Sequence, residues 1–311
     1  MNASPAILLE GLTRRFGDAV AVRDLRFAVE HGELFGLVGP DGAGKTTTLR
    51  MLAGVMRPSG GDAVICGIRV GEEPERIKHD IAYMSQRFGL YTDLTVRENI
   101  DFYADLYGVP AADRPARRAR LYEFSNLGPF EDRLAGNLSG GMKQKLALCC
   151  ALIHHPRVML LDEPTFGVDP ISRRDLWLII HQMVAEGVTV FVSTSYLDEA
   201  ERCDRVAFLH EGSLVALDTP RALQQRLDGR ILALSAERLR AARDRARTLP
   251  QVQNATLFGD TLHLTFADAE RDWPATRRAL ETAGIGIGSV EPVSPSLENV
   301  FIDLIGSGAP A

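Results

Sequence analysis

The sequence predicts an α/β fold, and three observations carry that reading. Short apolar runs at 34–38, 158–164 and 188–193 have the length and composition of strands buried on both faces. Helical stretches separate them, and that alternation favours a mostly parallel sheet with helices on its faces. Between 34–38 and a helix expected over 46–52 lies Gly39-Pro40-Asp41-Gly42-Ala43-Gly44-Lys45-Thr46-Thr47, a Gly-rich strand-to-helix turn. In such a turn successive backbone N–H groups point inward and the helix N-terminus adds partial positive charge, so the loop can cradle a nucleotide's phosphates. Lys45 would reach the outer phosphates as a point charge, Thr46 would ligate Mg²⁺ through its hydroxyl, and Thr47 would support the phosphate shell.

Length and composition set the frame. With 311 residues and 45% apolar content the chain has room for one large domain plus a small one, or two medium ones. A net charge of −6 gives no general pull toward nucleic acid, so no nucleic-acid partner is expected. Cys66, Cys149, Cys150 and Cys203 lack C-x-x-C spacing and read as reduced, buried residues of a cytosolic protein. The longest apolar run, 146–153, is far short of the ~20 residues that cross a bilayer. Met1-Asn2-Ala3-Ser4-Pro5 has no basic-then-apolar signal pattern. The chain is therefore expected neither to be secreted nor to span a membrane.

Taken in order, 7–16 and 20–29 read as apolar-rich strands joined at Gly17-Asp18-Ala19. Phe16 closes the first; an aromatic there is either core or a platform on which a purine stacks. After the phosphate-loop helix, a strand is expected over 62–70 and another over 81–85, with Gln86 directly behind it. Thr95-Val96-Arg97-Glu98 is a capping-box sequence opening a helix to about Tyr107, which Gly108-Val109-Pro110 stops. A helix over 113–127 carries Arg114, Arg117, Arg118 and Arg120, read as a solvated face, with contact to a partner or an anionic membrane as the alternative. Leu138-Ser139-Gly140-Gly141 then opens a helix that runs apolar through Ile153, a second helix N-terminus suited to an anion.

The strand at 158–164 delivers Asp162 and Glu163 at its end. Ion pairing or capping is the usual fate of such acids. Near a phosphate loop, however, an Asp can hold Mg²⁺, usually through water, and a neighbouring Glu can polarise the attacking water. Gly167-Val168-Asp169-Pro170 turns into a helix over 172–185. A strand over 188–193, Thr194-Ser195-Tyr196 and a strand over 205–209 follow. From about 229 the character changes. A strand at 230–234, an Arg-rich helix at 236–249, two strands meeting across Gly259-Asp260, a helix at 273–283 and a strand at 285–290 give a βαββαβ order, closed by a helix at 296–305. A small α+β accessory domain over 229–311 is expected, with no catalytic constellation.

Phosphate loop, Gln86, Leu138-Ser139-Gly140-Gly141 and Leu160-Leu161-Asp162-Glu163-Pro164, in that order, make residues 1–228 resemble the ATP-binding subunit of an ABC transporter. Gly39-Pro40-Asp41-Gly42-Ala43-Gly44-Lys45, Met84-Ser85-Gln86-Arg87-Phe88-Gly89-Leu90-Tyr91 and Asp169-Pro170-Ile171-Ser172-Arg173-Arg174 look most like ATPases of ABC-2-type exporters, the daunorubicin-resistance group. They look especially like the first half of tandem exporter ATPases. The resemblance implies an ABC-type P-loop NTPase fold with a mixed sheet core and a helical subdomain at about 87–155. It implies ATP and Mg²⁺ as cofactors, and ATP hydrolysis that powers export of drugs or other small hydrophobic molecules. Position by position, it makes Phe16 the adenine-stacking aromatic, Gly39 to Thr47 the phosphate loop, and Gln86 the glutamine that senses Mg²⁺ and the lytic water. Asp162 becomes the Mg²⁺ carboxylate and Glu163 the general base. In such proteins two copies pack head to tail, so Ser139, Gly140 and Gly141 would cap the γ-phosphate held by the other copy, with Asp169 on the loop that crosses between sites. Residues 87–94, with Phe88 and Tyr91, would face ABC-2-type transmembrane subunits and place the chain peripherally on the inner face of the cell membrane.

Two positions depart from that family. Ser195 stands where these ATPases usually carry a histidine that hydrogen-bonds the γ-phosphate and aligns Glu163 with the water, and Phe166 replaces a common small residue. Losing one such donor typically costs ~10²–10³ in rate. The expectation is a second, histidine-bearing ATP-binding subunit as partner, with this chain's own site retaining ATP longer; a homodimer that tolerates Ser195 is the alternative. A degenerate ATP-binding partner with little turnover, and a nucleic-acid-acting ABC ATPase, are the competing functions. The second lacks support from any coiled coil or metal-binding insertion in the compact interval between Lys45 and Ser139.

Overall fold

Two antiparallel strands, β1 (Ile7–Phe16) and β2 (Ala19–Val29), open the chain, with Gly17 at φ +57° turning it between them. The computed structural model describes residues 4–86 and 89–306. Next come β3 (Leu34–Val38), α1 (Lys45–Leu52), β4 (Gly60–Ile65), β5 (Ile68–Arg69), α2 (Pro74–Ile77) and β6 (Ile81–Met84). The chain continues through α3 (Val96–Leu106), α4 (Arg114–Ser125), α5 (Gly140–Leu152), β7 (Val158–Asp162), α6 (Pro170–Ala185), β8 (Thr189–Thr194), α7 (Leu197–Ala200) and β9 (Arg205–His210). It passes through β10 (Ser213–Asp218) and α8 (Pro220–Gln225) to β11 (Ile231–Ala236), α9 (Leu239–Ala246), β12 (Val252–Phe258), β13 (Thr261–Phe266), α10 (Ala269–Thr282), β14 (Ile287–Pro292) and α11 (Leu297–Gly306).

Two compact units emerge, one of residues 1–196 with 203–214, the other of 197–202 with 215–311. In the first, β9-β3-β8-β7-β6 run side by side and parallel. Every residue of β3, β7 and β8 is buried, which is why these strands read as unbroken apolar runs. A second, antiparallel sheet is ordered β2-β1-β4-β5. Phe27 of that sheet stacks on Phe35, and Phe35 on Phe191, at ring separations of 5.2 and 5.3 Å, joining the two layers in one core. Helices α3, α4 and α5 pack on one another, with Cys149 and Cys150 buried among them, and α5 also packs on α6. Thr95 caps α3 as the sequence anticipates: its hydroxyl accepts from the Glu98 N–H, and the Glu98 carboxylate accepts from the Thr95 N–H.

The four arginines of α4 each meet a carboxylate: Arg114 Asp105, Arg117 Asp113, Arg118 Asp101 and Arg120 Glu186. One expected strand is corrected. Residues 62–70 form not one strand but the hairpin of β4 and β5, because Cys66 and Gly67 both take positive φ, +49° and +82°, the two-residue turn that matches strand twist. Ile65, Ile68 and Val70 hid that turn by continuing the apolar pattern.

The second unit holds a four-stranded antiparallel sheet, ordered β12-β13-β11-β14. Its core includes Leu234, Ala242, Ala246, Leu264, Phe266 and Leu280. Asp268 caps α10, accepting from the Arg271 N–H, so that helix starts four residues before the expected 273. The boundary expected at residue 228 lies inside this unit, since residues 215–228 cluster with the small sheet.

Candidate functional site

The end of β3 and the start of α1 enclose a cavity of about 360 Å³, lined in part by Asp41, Gly42, Gly44, Lys45, Thr46 and Thr47. Gly44, at φ +105°, caps α1, and a Cβ there would stand 2.4 Å from the Ala21 carbonyl oxygen. A Cβ on Gly39 would stand 2.2 Å from the Leu209 carbonyl oxygen, so these two positions accept glycine alone without a shift of backbone. The turn folds back on its own lysine. Lys45 Nζ donates to the Gly39 carbonyl at 2.8 Å and the Pro40 carbonyl at 3.1 Å. It also meets Glu163 Oε1 at 3.1 Å, with the two side chains 5% and 10% exposed. Ala43 is buried, and its carbonyl accepts from the Gly212 N–H.

Register brings the acids to this loop. Asp162 ends β7 opposite Ser193 of β8, and Glu163 follows at φ +48°. Gln86 Nε2 donates to Glu163 Oε2 at 3.1 Å, so the carboxylate lies between Lys45 and Gln86. The Thr46 hydroxyl donates to Asp162 Oδ1 at 3.1 Å. Asp162 Oδ2 is sealed from solvent with no hydrogen-bond partner among the described residues. Such an orphaned oxygen beside a hydroxyl fits an Mg²⁺ ion held through one carboxylate, water and a nucleotide's phosphates. No cluster of three or more His, Cys, Asp or Glu suited to a metal lies among the described residues. An ion here would thus need the nucleotide to complete its shell.

The phosphate loop, Gln86 and Glu163 therefore line one cavity, and Asp162, buried behind that lining, joins it through Thr46. Phe16 is not part of that lining; it is 47% exposed under the Arg14 guanidinium, 4.7 Å from the ring centre. Ser195 follows β8 directly, half-buried, and does not line the cavity. Ser139 caps α5, accepting from the Met142 N–H. Gly141 is pressed against α6: a Cβ on it would meet Ser172 Oγ at 2.1 Å and Asp169 Oδ2 at 3.4 Å. Asp169 accepts from the Ile171 and Ser172 N–H groups, and the bonds to Ser172, backbone first and hydroxyl next, hold its carboxyl below the usual range. Gly140, by contrast, faces open space. Arg87 and Phe88 lie outside the described residues; Tyr91 is exposed and packs its ring on Phe102.

Residues 22–166 match the family model described as ABC transporter. Nod factor export ATP-binding protein I of Burkholderia orbicola is 35% identical over 308 residues, an alignment covering 98% of both chains. The chain belongs to the ABC transporter ATP-binding proteins. Other relatives of this ABC protein include the probable multidrug ABC transporter ATP-binding protein YbhF of Escherichia coli K12, 45% identical over 305 residues. That alignment takes in 96% of this chain but 52% of YbhF, so the chain spans about half of that relative's length. A solved ATP-binding subunit of an ABC transporter superposes with a TM-score of 0.65 at 31% identity, covering 71% of this chain and 92% of that one. The ABC-type P-loop fold and the ABC ATP-binding class read from the motifs both hold.

Sequence reasoning named Phe166 only as a departure from the family and passed over Ser193. Phe166 lines the cavity and is exposed at its rim. Ser193 bridges both acids from below, and the signal for it was a serine directly after the buried run Val190-Phe191-Val192.

Proposed function

We propose that this chain binds Mg·ATP in the Lys45 cavity and hydrolyses it with Glu163 as general base, powering an ABC-2-type exporter of small hydrophobic molecules. The observation that carries this reading is the position of Glu163, held between Lys45 and Gln86 in a cavity floored by the phosphate loop. Phosphate oxygens entering the loop replace Glu163 as the partner of Lys45. The released carboxylate then accepts a proton from water as its oxygen attacks the γ-phosphorus, and the bond to the ADP oxygen breaks. Gln86 keeps Glu163 and the water aligned. An Mg²⁺ ion held by Thr46 and, through water, by Asp162 would neutralise charge on the transferred group.

Phe16 stacks the adenine, and Ser139, Gly140 and Gly141 reach the γ-phosphate of a second ATP-binding subunit, with Asp169 at the crossing. The dimer sits on transmembrane subunits at the inner face of the membrane; no helix among the described residues is long and apolar enough to cross one. Ser195 supports a heterodimer, because a serine reaches less far than an imidazole and leaves this chain's own site the slower of two. Binding of a fluorescent ATP analogue tests the reading. Lys45→Ala should weaken it by at least ~100-fold, the scale of one buried charge-assisted contact. Equal binding by wild type and Lys45→Ala would contradict it.

A further inference from the structure

Beneath the two acids lies a side chain to which the proposed chemistry assigns no part. Ser193 is fully buried near the end of β8, in register with Leu37 of β3 on one side and Asp162 of β7 on the other. Its hydroxyl donates to Asp162 Oδ1 at 2.8 Å and accepts from the Glu163 backbone N–H at 3.1 Å. The same N–H also donates to the Ser193 carbonyl at 3.1 Å, so Ser193 grips the start of Glu163 twice.

We propose that Ser193 is a positioning residue that sets both acids of the site at once; the proposal rests on the Mg·ATP reading above. For Asp162 it fixes the plane of the carboxylate, and with it the place of the free oxygen. The Ser193 and Thr46 hydroxyls both occupy Oδ1, which leaves Oδ2, the buried oxygen without a partner, as the atom that accepts from a cation-bound water. With the Ser193 hydroxyl gone, the carboxylate keeps one donor instead of two and is freer to tilt about its last bond, which displaces the free oxygen. For Glu163 it fixes the backbone. A φ of +48° is one that L side chains rarely adopt and that persists only where neighbours over-determine it. The paired contacts to Ser193 do so, and the turned residue carries its carboxylate to Lys45 and Gln86.

The test is binding of the fluorescent nucleotide MANT-ATP, in EDTA and across a Mg²⁺ titration, to wild type, Ser193→Ala, Ser193→Cys and Ser193→Thr, with thermal melts alongside. Ser193→Ala should bind MANT-ATP in EDTA as wild type does, while its apparent affinity for Mg²⁺ falls ~10–100-fold, the scale of a lost supporting bond at a metal ligand. Ser193→Thr should restore much of it. Ser193→Cys, a near-isostere with a weak donor, should lie between and carries the test if the alanine variant does not fold. An unchanged Mg²⁺ titration in a folded Ser193→Ala overturns the proposal. So does an equal loss of binding with and without Mg²⁺ together with a lowered melt, which marks a merely structural serine. Failure of wild type to bind MANT-ATP overturns the Mg·ATP reading itself, and this proposal with it.

Discussion

Replacing Glu163 by glutamine should make the empty protein weaker and its hold on nucleotide stronger. In the structure the Lys45 ammonium and the Glu163 carboxylate are 3.1 Å apart and nearly dry. Removing one member of a buried pair costs ~3–5 kcal/mol, because the other charge is left in a poor solvent. Glutamine keeps a polar oxygen, and the Gly39 and Pro40 carbonyls still hold Lys45, so about 2–3 kcal/mol is the better figure here. For a body of this size 1 kcal/mol moves the melting temperature by ~2–4 °C, which gives a drop of roughly 4–12 °C without nucleotide. Nucleotide phosphate restores the missing negative charge, so the same free energy should return as binding, up to ~30–150-fold tighter than wild type. Scanning calorimetry with and without ATP, beside a fluorescent-analogue titration, reads both halves. Equal melting temperatures of empty wild type and Glu163→Gln, or equal nucleotide affinities, would refute the reasoning.

Three further outcomes follow from particular contacts. Gly141→Ala puts a methyl 2.1 Å from Ser172 Oγ and should cost ~1–3 kcal/mol in chemical denaturation, with Ser172→Gly in the same chain recovering most of it. His154 stacks on Tyr107, donates through Nε2 to the Ile81 carbonyl and has no partner at Nδ1 among the described residues; burial pushes its pKa from 6.5 down to about 4. The unfolded chain therefore binds the proton that the folded one refuses, and stability present above pH 6.5 is lost as pH falls toward 4, by about 2 kcal/mol at pH 5. Urea denaturation at pH 7.5 and 5 should show this loss in wild type but not in His154→Gln. Ser195→His should raise Mg·ATP turnover ~10-fold or more if a serine is the weak point of this site, measured by phosphate release.

Much of the molecule was legible before its coordinates. Apolar runs without alternation marked β3, β7 and β8 as buried parallel strands, and Thr95 with Glu98 marked the start of α3. Lys45, Asp162 and Glu163 were legible because their spacing from strand ends fixes where they emerge. What stayed hidden needed contacts between distant segments. The Cys66-Gly67 turn was masked by apolar residues on both sides. Ser193 was unreadable as a supporting group because its meaning comes from the register of β8 against β7, thirty-one residues away in sequence. Phe16 illustrates the reverse case: its place at the end of β1 was right, but its contact with a base depends on a ligand rather than on the fold.

Steady-state Mg·ATP hydrolysis by the purified chain, beside Glu163→Gln and Ser195→His, tests the central claim most directly. The account predicts measurable turnover in wild type, a rise in Ser195→His, and loss of activity whenever Glu163 is replaced. Turnover that survives Glu163→Gln, or a nucleotide-bound protein that stays silent even with histidine at position 195, would contradict it.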